Sequence, residues 1–101
     1  MIEYLYDTIR ASAGETITLT ARVTDNDGVC VEDPCHIMIF DNDDMLFQVD
    51  GTLFDDEALE ERLWLFTIPS EATKGLNGRY WYCVCCGDTE LCFKEPIYFV
   101  G

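Results

Sequence analysis

Positive charge is scarce in this chain: only 6 of its 101 residues are Lys or Arg, against 20 Asp and Glu, and the formal net charge is -14. A field of that sign repels phosphate backbones, so no nucleic-acid partner is expected. Histidine is scarcer still, with His36 alone, which leaves any thiol nucleophile a single imidazole to draw on. No apolar run approaches the roughly 18 residues of a membrane-spanning helix, and no membrane partner is expected. The opening MIEYLYDTIR carries Glu3 and Asp7 and neither the basic nor the long apolar region of a secretory leader. That predicts folding in a reducing cytoplasm with thiols kept reduced, whereas a processed or exported form of a longer chain would favour bridges, with 15 possible pairings of the six cysteines. Phosphate-loop, dinucleotide, G-x-S-x-G and Ser/His/Asp patterns are missing as well. The chain therefore reads as a non-enzyme without a cofactor.

What is present is a core. Hydrophobic residues make up 49% of the chain and aromatics 13%, enough apolar surface to offset the entropy of ordering despite the charge. The length suits one domain, residues 1-101.

The clearest local signal is TITLTARVT, Thr16 to Thr24, where Ile17, Leu19, Ala21 and Val23 alternate with polar residues as in a strand with one buried face. It runs into DNDG, Asp25 to Gly28, a turn in which Gly28 supplies a positive φ. A short strand around Val29-Val31 should follow, broken at Asp33-Pro34. HIMIF, His36 to Phe40, is apolar on both faces, as a central strand would be. MLFQV, Met45 to Val49, makes the next strand. DDEALEER, Asp55 to Arg62, has early acids and good helix formers and predicts a short helix or helical turn. LWLFTI, Leu63 to Ile68, resumes extended structure with Trp64, Phe66 and Ile68 on one face. PSEATKG predicts a helical turn capped by Ser70 and stopped by Gly75, with Leu76 packing back. Arg79-Cys86 and Thr89-Lys94 read as a hairpin across Gly87-Asp88, and Ile97-Val100 as a last strand after Pro96. Seven or eight short strands with one or two helical turns predict an antiparallel β-sandwich.

RYWYCVCCGDTELCF, residues 79-93, holds four of the six cysteines. A two-residue turn would pair Trp81 with Lys94, Tyr82 with Phe93 and Cys83 with Cys92. Tyr80, Tyr82, Val84, Leu91 and Phe93 then share the core face, leaving Trp81, Cys83, Cys85, Glu90, Cys92 and Lys94 on the other. Cys83 and Cys92, about 5 Å apart, could form a disulfide or simply fill a half-covered surface. Zinc would need four converging ligands, and the extended strand turns Cys86 away from its neighbours; Cys30, Cys35 and His36 are conceivable extra ligands, but no metal site is expected. The preferred reading is an apolar, partner-facing sheet with Trp81, Cys83, Cys85, Cys92 and Lys94 as the contact residues. The plainer alternative is that the segment from residue 55, or a chain terminus, covers this face. Asp25, Asp27, Asp41, Asp43 and Asp44 fall in loops that on a sandwich could meet at one end around calcium; solvated turns are the simpler reading.

GRYWY, Gly78 to Tyr82, after a helical turn and Leu76, resembles the corner and following strand of immunoglobulin-like domains, with Tyr80 as the corner tyrosine. Tyr82 stands where antibody domains carry a cysteine, which implies that their inter-sheet disulfide is missing. The longer stretches ETITLTARVTDNDG and FTIPSEATKGLNGRYWY resemble the Ig-like domains of tailed-phage virion proteins. That resemblance implies an Ig-like β-sandwich and a non-enzymatic structural role, such as a capsid decoration protein, a baseplate or a tail component. It also implies a chain made in the host cytoplasm and resident in the virion, with a homo-oligomer such as a trimer and capsid or tail scaffold proteins as partners. The alternative role is a carbohydrate- or ligand-binding module.

Overall fold

The structure is a computed structural model and describes residues 2–4, 9–86 and 94–101. In chain order the elements are β1 (Ile2–Tyr4), β2 (Ile9–Ser12), β3 (Ile17–Val23), β4 (Cys35–Asp41), β5 (Asp44–Asp50), β6 (Thr52–Asp56), β7 (Glu61–Ile68), α1 (Ser70–Thr73), β8 (Gly78–Cys86) and β9 (Glu95–Val100). They form a four-stranded sheet, β1-β3-β7-β6, and a five-stranded sheet, β2-β9-β8-β4-β5. The all-β expectation holds, with nine strands among the described residues where seven or eight were expected. Pairing is not purely antiparallel, because β2 runs parallel to β9.

The alternation in β3 does what it predicts: Leu19, Ala21 and Val23 are buried. They meet Trp64, Phe66 and Ile68 of β7 and, from the facing sheet, Ile37, Ile39, Tyr82, Val84, Ile97 and Phe99. One shared core thus lies between two sheets, with burial as the main favourable term. β4 is central, between β8 and β5, as HIMIF predicts. Gly28 has φ +79, and the Asp25 carboxylate accepts the amides of Asp27 at 2.9 Å and Val29 at 3.0 Å, an Asx turn.

The chain changes sheets at Gly51, between β5 and β6. A Cβ there would lie 2.6 Å from the Phe66 ring and 2.9 Å from that of Trp64, so the crossing is open only to glycine.

Three local expectations are corrected. DDEALEER is not a helix: Asp55 and Asp56 end β6, a turn spans 57-60, and Glu61 starts β7. Leu53 and Phe54 face Trp64 and Leu63 across this hairpin, and the apolar pairing outweighs helix propensity in a segment too short to be helical alone. Val29-Val31 forms only a bridge, Thr24 to Cys30, because the Asx turn and Pro34 leave no room for a ladder. Ser70 does not cap α1; Pro69 holds that position without a side-chain cap. Gly75 does stop the helix, at φ +82, and Leu76 packs against the core. The buried Thr73 ties the helix down: its hydroxyl accepts the Gly14 amide at 2.9 Å and lies 3.0 Å from the Glu15 carbonyl oxygen.

Candidate interaction face

The site residues all depend on parity along β8. Tyr82, Val84 and Cys86 belong to the core, while Cys83 and Cys85 do not, so Trp81, Cys83 and Cys85 point to the outer side of the five-stranded sheet. The register differs from the two-residue-turn expectation: Trp81 faces Pro96 and Tyr82 faces Glu95, a shift of two residues. An even shift preserves the faces. The proposed strand 89-94 falls largely outside the described residues, as does Cys92.

The thiols are a correction. Cys83 is 0% exposed and Cys85 5%, so neither is offered to a partner. They stand opposite Met38 and His36 of β4. Burial pushes the Cys83 thiol above its ordinary range, with Lys94 pulling the other way. Nor are the thiols all reduced. Cys35 and Cys86 face each other on β4 and β8 with Cα atoms 4.0 Å apart and are joined as a disulfide. Cys85 is disulfide-bonded too. Cys30 and Cys83 are free, so Cys83 takes no part in a bond with Cys92. The bridge withdraws Cys35 from any zinc set.

Trp81 is half-buried and Lys94 exposed; with Asn42 and Asp43 they line an open groove beside the β4–β5 turn. Lys94 Nζ lies 4.3 Å from the Phe40 ring centroid, 3.4 Å from the Asn42 carbonyl oxygen and 3.8 Å from Asp43 Oδ1. Three residues absent from the sequence reading complete the face. The Arg79 guanidinium lies 5.0 Å from the Trp81 ring centroid, and that of Arg10 5.9 Å from the Tyr98 ring. Arg10 and Arg79 stand opposite Tyr98 from its two sides, on β2 and β8. Arg79 shares the parity of Trp81, so the alternation rule alone could have found it. Arg10 and Tyr98 required the parallel β2–β9 pairing.

The acidic loops do not meet. The 24-34 loop precedes β4 and the 42-43 turn follows it, which separates them by the strand's length, about 20 Å at the usual rise. Among the described residues no group of three or more His, Cys, Asp or Glu is placed to hold a metal ion. The 55-62 segment lies in the four-stranded sheet, so it does not cover the Trp81 face. Among the described residues no helix is long and apolar enough to cross a membrane. Compared with known proteins, the chain matches no protein-family model and no curated relative.

Proposed function

We propose that this chain is a non-enzymatic structural module of the Ig-like β-sandwich type that works by docking the outer face of its five-stranded sheet onto a protein partner. The observation that carries the reading is that face: half-buried Trp81 and Tyr98 roofed by Arg79 and Arg10, the aromatic-plus-arginine composition typical of interface centres. Met45, Leu46 and Val100, at 51%, 43% and 63% exposed, border the same sheet. The Ig-like assignment is supported by the strand order, which is that of strands A-B-E-D facing A'-G-F-C-C' in such domains. It is also supported by Tyr80, whose hydroxyl accepts the Asn77 amide at 3.3 Å as a corner tyrosine does. By resemblance, the host assembly is a tailed-phage virion, with capsid or tail proteins and further copies of the chain as partners.

Native mass spectrometry of the purified chain tests the reading. A discrete oligomer lost in Trp81→Ala is the expected result. A monomer whose mass rises on adding calcium or an oligosaccharide would instead favour the ligand-binding alternative, with the Asn42, Asp43, Trp81 and Lys94 groove as its site.

A further inference from the structure

Charge in this molecule is segregated. Among the described outward-facing positions of the five-stranded sheet and the adjoining Lys94, the cations are Arg10, Arg79 and Lys94, half of the chain's six. The one carboxylate at these positions is Asp50, opposite His36 near the edge. Lys94 is answered by Asp43. Arg10 and Arg79 have no carboxylate partner among the described residues, in a chain with more than three acids for every base. They lie over rings instead.

The complementary surface is at the other end of the same molecule. Strand β8 begins beside Arg79 and finishes at Cys86, opposite Cys35, at the end where the 24-34 loop and the β6–β7 turn lie; Arg62 links the two by pairing with both Glu32 and Asp55. The β6–β7 turn presents Glu57 and Glu60, both exposed, around Leu59, itself 51% exposed. Asp25, Asp27 and Asp33 stand exposed in the neighbouring loop with Val29, which is 60% exposed. This is an acidic knob with apolar tips, and the sheet face is an aromatic surface with two arginines lying over rings.

We infer that the partner on the Trp81 face is a second copy of this chain, presenting its β6–β7 turn, so that Glu57 and Glu60 meet Arg79 and Arg10 while Leu59 rests against Trp81 and Tyr98. The inference rests on the docking-face reading and names its occupant. The two surfaces are different patches of one chain, so the contact is head-to-tail and repeats from copy to copy, closing into a ring or continuing as a filament. Charge pairing orients the contact and supplies a salt-sensitive share of its affinity, and apolar burial adds to it.

Complementary defects test it. A face variant, Arg10→Glu with Arg79→Glu, keeps the knob; a knob variant, Glu57→Lys with Glu60→Lys, keeps the face. All four positions are exposed, and far-ultraviolet circular dichroism checks that both variants fold. In sedimentation velocity from micromolar to millimolar protein at about 50 mM salt, the wild type should grow in mass, and the growth should fall steeply at about 0.5 M salt. Each variant alone should remain monomeric. Their equimolar mixture should regain mass, since the intact knob meets the intact face and the two charge-reversed surfaces are complementary to each other. A monomeric wild type, a knob variant that assembles like the wild type, or a mixture that stays monomeric overturns the inference. An assembly abolished by Trp81→Ala but untouched by the knob variant overturns the head-to-tail contact and leaves the docking face standing; one that survives both overturns the docking face too.

Discussion

On the four-stranded sheet Arg22 reaches Glu61 at 2.5 Å and Arg62 pairs with Asp55 and Glu32, whereas on the five-stranded sheet Arg10 and Arg79 lie over Tyr98 and Trp81. The outer surface of the first sheet is finished: Thr18 faces Thr67 and Thr20 faces Leu65 across β3 and β7, cross-strand pairs of modest worth in water. The second is tied internally by a covalent bridge and turns its aromatics and guanidinium groups outward. The same residue type is spent on self-consistency in one sheet and held in reserve in the other. What separates the two sheets is therefore the pairing of their charges, with carboxylates on one and with aromatic rings on the other.

That contrast can be attacked at several points. The largest effect should come from the bridge peculiar to the five-stranded sheet. Cys35→Ala with Cys86→Ala releases a link spanning 51 residues, worth about 3–4 kcal/mol in the chain-entropy account; a urea midpoint that does not move would mean that β4 and β8 need no clamp. Next is the crossing between the sheets. Gly51→Ala drives a methyl group into the Phe66 and Trp64 rings and should destabilise by about 1–3 kcal/mol, read from the same titration. Trp64→Phe removes the indole N–H donated to the Val31 carbonyl oxygen at 2.8 Å, an expected loss of about 1 kcal/mol.

The sharpest comparison is also a small one. Arg22→Ala should lower stability by up to about 1 kcal/mol because the Arg22–Glu61 pair is only partly buried, with no effect on association. Arg79→Ala should reverse the balance, weakening association more than folding; equal behaviour of the two variants would erase the distinction between the sheets. Smallest is the Cys83 thiol, on the same side of β8 as Trp81. With its folded pKa raised by burial, the protonated Cys83 contributes stability that is present below the ordinary thiol pKa, about 8.5, and lost as pH rises through the folded value. The stability of the wild type should fall more steeply with alkaline pH than that of Cys83→Ala, and parallel profiles would show that Cys83 does not titrate with folding.

Much of the scaffold could be read from the sequence, because burial on one face leaves a period of two. β3, β4 and β7 carry it plainly, and Gly28 and Gly75 mark positive-φ turns that other residues adopt at a cost. Asp55 to Arg62 misled because helix propensity is local, while the worth of Phe54 opposite Leu63 depends on a strand that follows the turn. The cysteines misled for a similar reason. Spacing drew attention to Cys83 and Cys92 across a tight turn, but Cys86 found Cys35 across the other edge of β8. Of the proposed docking face, Trp81 and Lys94 were legible and Arg10, Tyr98 and Phe40 were not, since they come from strands far apart in the chain.

The sequence by itself determined which residues must leave water and where the chain must turn, since alternation and backbone sterics act over a few residues. Only the tertiary structure decided which strands became neighbours, and with that which cysteines joined, which arginines found carboxylates and which were left over rings. Those outcomes depend on distances between segments remote in the chain, and no local pattern encodes them.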